Sequence, residues 1–264
     1  MIIDSHTHIG ESNGKQWSPS QLIKSMDDAG IDISLVLSYF HSKRGTPVEK
    51  VIEACKEFPR LKAIGNVDYS TVDNQQIEKL QDLLTRKIIL GVKFYLGYEQ
   101  FYPNDKKLYP LYEFCSQNNF PVIFHTGVLV EGYKYKGLLK YSHPLPVDEL
   151  ATDFPNLKII IAHFGNPWIM DCAAVMVKNE NVYIDFSGYF AEYQSISTEE
   201  KEYFVKEMTK FKLFVGDFTK CLFGTDWPLY SQKEYLEAVQ SLPMTSEEQD
   251  LVFSQNAKML FGID

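Results

Sequence analysis

Short apolar, β-branched runs recur along the chain. Between them apolar residues return every three or four positions, the pattern of a parallel sheet with helical crossovers. Eight runs have strand character: residues 2–6, 33–38, 61–67, 88–94, 121–125, 158–163, 182–186 and 221–224. Helices are expected over 21–29, 48–58, 74–86, 107–117, 147–153, 168–177, 198–211 and 233–241. Their start signals are Ser18-Pro19, Thr46-Pro47, Thr71, Asn104-Asp105, Pro146, Asn166-Pro167, Ser197 and Ser231. A further helix is expected over 246–261. Strands such as Ile159-Ile160-Ile161-Ala162 are apolar on both faces, as when helices cover one side and a packed barrel interior the other. The pattern predicts an α/β fold, a (β/α)8 TIM barrel forming one domain over residues 1–264, a length near the ~250 residues typical of such barrels. An open doubly wound sheet would need a glycine-rich phosphate loop after strand one, and the sequence has none there.

Composition narrows the partners. Lys and Arg number 26 against 35 Asp and Glu, a net charge of −9, which argues against nucleic acid, whose binding is built from clustered cations. No run approaches the roughly 18 uninterrupted apolar residues of a membrane span, and the first residues lack signal-peptide character, so a cytoplasmic protein without membrane contact is expected. Cys55, Cys115, Cys172 and Cys221 are far apart and form no C-x-x-C pair, consistent with reduced thiols. A small-molecule substrate is the expected partner, and homodimerisation stays open.

In such barrels chemistry sits at the C-terminal ends of the strands. Strand one ends in His6-Thr7-His8, whose two-residue spacing sends both imidazoles the same way. Lys93 lies near the end of strand four, His125 and His163 end strands five and six, and Asp226 follows strand eight in Phe223-Gly224-Thr225-Asp226-Trp227-Pro228. Each has a bland reading alone: a core histidine, a solvent-reaching lysine, an aspartate capping a turn. Their coincidence on one face favours a metal site, and imidazoles plus a carboxylate suit zinc, manganese, iron or cobalt better than calcium or magnesium.

These residues resemble the amidohydrolase superfamily. Asp4-Ser5-His6-Thr7-His8, Gly91-Val92-Lys93, Phe124-His125-Thr126-Gly127, Ala162-His163-Phe164-Gly165 and Gly224-Thr225-Asp226-Trp227-Pro228 look like its amidohydrolase-related branch, which holds aminocarboxymuconate-semialdehyde decarboxylase with hydrolases and lactonases. The resemblance implies one divalent transition metal, zinc foremost, on His6, His8, His125 and Asp226, with His163 beside it and catalytic roles for Asp226 and His163. In two-metal relatives His163 would be a ligand and a carboxylated Lys93 a bridge. Some lactonases of the branch are thought to work without metal.

The implied function is a metal-dependent hydrolase attacking an amide, lactone or related carbonyl compound with activated water. A decarboxylase of a small unsaturated or aromatic acid is the alternative, and a non-catalytic or metal-free binding barrel the third reading. Of three arginines, Arg60 and Arg86 precede strands and belong to the opposite face, whereas Arg44 follows strand two. Arg44, with His41, is the candidate for binding a substrate carboxylate or phosphate, against the reading of an exposed loop charge. The long connection from Thr126 to Pro146 carries Tyr133, Tyr135, Tyr141 and His143. With Tyr95, Tyr98, Phe101 and Tyr102 after strand four it predicts an aromatic wall at the mouth, Tyr95 being the substrate-binding candidate, or else aromatics packed on one another.

Overall fold

The computed structural model describes residues 1–12, 14–39, 46–129, 136–190 and 195–264. His41, Arg44, Tyr133 and Tyr135 lie outside the described residues. Eight parallel strands run around a barrel in chain order: β1 (Ile3–Thr7), β4 (Ile33–Leu37), β5 (Leu61–Asn66), β6 (Val92–Phe94), β7 (Val122–His125), β8 (Ile159–Ala162), β9 (Val182–Asp185) and β10 (Cys221–Leu222). Closure comes from backbone bonds between the first and last strands, Ser5 N–H to Phe223 O at 2.9 Å, Asp226 N–H to His6 O at 2.8 Å and His8 N–H to Trp227 O at 2.7 Å. The fold is the TIM barrel that the strand–helix alternation predicts.

The strands are buried on both faces, and alternation decides which way each residue points. Ile3, Leu35, Leu37, Ile64, Ile123, Ile160 and Leu222 form one cluster, joined by Ala257, Leu260 and Phe261 of the last helix. Their neighbours Val36, Ala63, Val122, Phe124, Ile159 and Ile161 belong to the second cluster, shared with the surrounding helices. The inner cluster is therefore floored by the C-terminal helix, which leaves the opposite mouth for chemistry.

The helix starts follow local capping. Ser18, Ser197 and Thr245 form capping boxes with Gln21, Glu200 and Glu248. Asp73, rather than Thr71, caps the helix Asn74–Thr85, and Asp105 caps a single 3-10 turn before Tyr109–Asn118. The expected single helix over 246–261 is instead Ser246–Asp250, a π segment Leu251–Gln255, and Asn256–Phe261. The cause is tertiary: Phe223 N–H at the end of β10 donates to Val252 O at 2.9 Å, taking a carbonyl from the helical ladder. A hairpin of β2 (Gly10–Ser12) and β3 (Lys15–Trp17), which the periodicity did not reveal, follows β1. Trp17 packs edge-on against Trp227, with ring centroids 5.4 Å apart.

Candidate metal and catalytic site

One cavity of about 170 Å³ opens at the C-terminal ends of the strands, and His6, His8, Lys93, His125, His163 and Asp226 all line it. The His6 and His8 rings are 5.3 Å apart. Asp226 Oδ1 stands 3.3 Å from His8 Nε2 and 3.8 Å from His6 Nε2. His163 completes the cluster, its ring 4.7 Å from His6 and 4.9 Å from His125. Lys93, on β6 between the outward-packed Val92 and Phe94, is fully buried and places Nζ 3.5 Å from His6 Nε2.

Hydrogen bonds on the far sides of the rings decide which nitrogens are free. His8 Nδ1 donates to Leu37 O at 3.1 Å, and His6 Nδ1 donates to Asp185 Oδ2 at 2.8 Å. Both histidines thus present Nε2 toward Asp226, the arrangement in which a carboxylate or carbonyl orients a metal-ligating imidazole. His125 Nε2 donates to Val128 O at 3.2 Å, leaving Nδ1. The His6, His8 and Asp226 ligand atoms lie within 4.8 Å of one another, so this group could hold a metal ion, and its nitrogen and oxygen donors fit a transition metal. His125, expected as a fourth ligand, is not in that close group among the described residues; its ring lies 4.9 Å from that of His163.

Asp185 was not among the sequence candidates, although it is the one charged residue at the end of β9 and the strand-end rule that picked His125 would have picked it too. Its Oδ1 accepts from the backbone N–H groups of His163 (3.0 Å) and Ser187 (3.1 Å) and from the Ser187 hydroxyl. Ser187 Oγ is also 2.8 Å from His163 Nδ1. His6, His163 and Asp185 form a second close group of ligand-type atoms. These atoms are already joined by hydrogen bonds, directly or through Ser187, which makes the group a support for the first.

The backbone is bent where it carries the chemistry. His163, Phe164 and Gly165 have φ of +64, +52 and +64, and Asp226 has φ +62. Left-handed geometry at such non-glycine residues costs energy and concentrates at functional sites. Asp4, the first residue of the D-x-H-x-H segment, anchors the Asp226 turn. Its carboxylate accepts from Thr225 N (3.0 Å), Thr225 Oγ1 (2.6 Å) and Gln232 Nε2 (2.7 Å). Burial pushes this carboxyl up to about 6, with those hydrogen bonds working the other way.

Burial also sets the charge states at the mouth. It lowers His163 to about 3 and His125 well below the usual histidine value, and it lowers His6 with help from Lys93. Burial lowers Lys93 to about 8 against the pull of Asp185 and Asp226. Burial alone would raise Asp226 and Asp185. The hydrogen bond and charge of His8, with His163 and His6, outweigh it at Asp226, and His6, His163 and Lys93 outweigh it at Asp185, so both stay below the usual carboxylate range.

The wall around this centre is aromatic. Tyr39 meets Tyr95 edge-on at 4.3 Å, and Tyr98 leans on His125 at 4.8 Å. Tyr95 lines the cavity with its ring, since its hydroxyl donates to Ser38 O at 2.7 Å. The other aromatics in question pack on partners: Phe101 stacks on Tyr69, while Tyr102 lies tilted against Tyr141 and His143 tilted against Trp168. Arg60 pairs with Asp27 and donates to Ile31 O and Asp32 O at the N-terminal end of β4, away from the mouth. The hairpin residues Gly10, Glu11 and Ser12 also line the cavity.

A sequence model of the amidohydrolase family matches residues 3–263. The chain belongs to that family. No curated protein matches this amidohydrolase-family chain by sequence. Among solved structures it is similar to an uncharacterised TIM-barrel protein from Bordetella bronchiseptica (22% identity, 99% and 98% of the two chains, TM-score 0.77). It is also similar to 2,6-dihydroxybenzoate decarboxylase from Rhizobium (17%, 100% and 99%, TM-score 0.75). A third is a dihydroxybenzoic acid decarboxylase from Polaromonas, solved with manganese and 2-nitroresorcinol (14%, 99% and 97%, TM-score 0.71). At these identities the likeness is one of fold.

Proposed function

We propose that this amidohydrolase-family protein is a metal-dependent hydrolase of an amide, lactone or related carbonyl compound, with one zinc ion held by His6, His8, His125 and Asp226. The observation that carries the reading is the pair of Nε2 atoms of His6 and His8 facing Asp226 Oδ1, each with its Nδ1 already engaged. A divalent ion there supplies Lewis acidity and brings a water's pKa toward about 7. Asp226, ionised across the working range, takes the attacking water's proton and passes it to the leaving group. His163, neutral and lining the cavity, stands beside the reacting centre, where it would orient the attacking water. Tyr39, Tyr95 and Tyr98 hold a flat substrate and exclude water. Lys93 stands by His6 as a charge neighbour, and in a two-metal arrangement it would be the carboxylated bridge with His163 as ligand.

The decarboxylase reading is favoured by a specific observation, the fold shared with 2,6-dihydroxybenzoate decarboxylase along the full length. In that reaction His163 or Asp226 would protonate the carbon that loses carbon dioxide. An anionic substrate would be met by Lys93 and, outside the described residues, by Arg44 and His41. A panel of lactones, amides and hydroxylated aromatic acids, assayed for acid production and for carbon dioxide release, tests the two. Acid production without carbon dioxide is expected, and carbon dioxide release replaces the hydrolase reading. Purified protein should hold about one equivalent of transition metal. His125→Ala and Asp226→Ala should each abolish tight zinc binding; binding left intact in both removes the ligand assignment.

A further inference from the structure

We infer that Asp185 and Ser187 form a proton-ordering relay that fixes His163 as a proton acceptor toward the cavity, and fixes His6 in the same tautomer. The inference rests on the proposed reading only for the use to which His163 is put; the relay itself follows from hydrogen-bond accounting. The Asp185 carboxylate has acceptors only, and four donors meet it: the N–H groups of His163 and Ser187 and the Ser187 hydroxyl on Oδ1, and His6 Nδ1 on Oδ2. Since the Ser187 proton is committed to Asp185, its Oγ can offer His163 only lone pairs. The 2.8 Å contact with His163 Nδ1 therefore has the imidazole as donor. Ser187 Oγ also stands 3.2 Å from His6 Nδ1, so one serine touches both rings while one carboxylate supports it.

With Nδ1 carrying the proton, the neutral His163 ring keeps an Nε2 lone pair for the cavity. In this state His163 takes a proton before it can give one. That order suits hydrolysis, where Nε2 can accept a hydrogen bond from the water that Asp226 deprotonates, and disfavours His163 as the first donor to a substrate carbon. Neither Asp185 nor Ser187 lines the cavity, so both are positioning residues. Their contacts are specific: all three Asp185–Ser187–His163 links close within β9 and the turns after β8 and β9, so the other tautomer of His163 would face the Ser187 oxygen with an Nδ1 lone pair and lose its bond.

The test reads tautomers directly. The full chain, labelled with ¹⁵N-histidine and stripped of metal, is measured by long-range ¹H–¹⁵N correlation at neutral pH. His6 and His163 should each show a protonated Nδ1 and an unprotonated Nε2. A protonated Nε2 on His163 in the wild type overturns the relay, and this measurement needs no variant to fold. Ser187→Ala should release His163 to mixed tautomers while His6 keeps its Nδ1 proton and zinc affinity stays within threefold. Asp185→Asn should disturb His6 as well and weaken zinc binding by at least tenfold. An unchanged His163 signature in a folded Ser187→Ala protein also overturns the proposal. If the relay signatures appear but no lactone or amide is cleaved, the function reading fails and the relay stands.

Discussion

At Gly188 the backbone has φ +66, and an added Cβ would come within 2.4 Å of His163 Nδ1. Two demands therefore converge on one residue: a left-handed backbone, and room for an imidazole pressed against the turn after β9. Gly30 makes a natural comparison, with φ +72 and nothing within 4 Å of the same virtual atom. Gly30→Ala should cost only the backbone penalty, about 1 kcal/mol. Gly188→Ala should cost roughly 1–3 kcal/mol more, because the ring must also move. Urea melts of both variants read the difference, and equal losses would mean that the turn yields without disturbing His163. Where a substrate is in hand, Gly188→Ala should lower kcat by about 100-fold, the scale of a 1 Å misplacement.

Between elements, Glu99 joins the loop after β6 to the loop after β5, its Oε1 accepting from Tyr69 N–H at 2.6 Å while Oε2 is buried with no hydrogen-bond partner among the described residues. Burial, with Asp68 nearby, raises this carboxyl to about 8 from an ordinary 4.5. A raised carboxyl means the folded chain holds a proton that the unfolded chain releases, so stability falls as pH rises from about 4.5 to about 8. Each unit of differential binding is worth about 1.4 kcal/mol. Glu99→Gln keeps an acceptor for Tyr69 and cannot ionise. It should match the wild type near pH 5 and exceed it by on the order of 1–3 kcal/mol at pH 9. Denaturant midpoints at the two pH values decide this, and an equal gain at both would assign the effect to packing.

For the molecule as a whole, the buried site makes acid stability a property of its histidines. His163 lies at about 3, and His6 and His125 are also lowered, so in the metal-free chain the unfolded state binds these protons first. Stability from each is complete above about 6.5 and is lost as pH falls through the window below it, at about 1.4 kcal/mol per unit. Asp4 and Glu99 act in the opposite sense, but three histidines outnumber two raised carboxyls. Metal-free protein should therefore weaken between pH 6.5 and 5, before ordinary carboxylates titrate. A flat urea midpoint over that range would mean the histidines are open to water. The described residues contain no helix long and apolar enough to cross a membrane.

The sequence by itself determined the barrel, because eight strands buried on both faces leave an apolar run that local chemistry cannot disguise, and crossovers must then be helical. It also determined which strands end in His6, His8, Lys93, His125, His163 and Asp226, since one placement rule covers them all. The tertiary structure alone decided which nitrogen of each imidazole is free, because the partners are a carbonyl on β4 for His8 and a carboxylate on β9 for His6, many residues away in sequence. It alone broke the last helix at Val252, whose carbonyl is claimed by β10, and turned the Tyr95 hydroxyl away from the cavity toward Ser38. Periodicity reports which face of an element is buried; hydrogen bonds between distant elements choose what the buried polar atoms do.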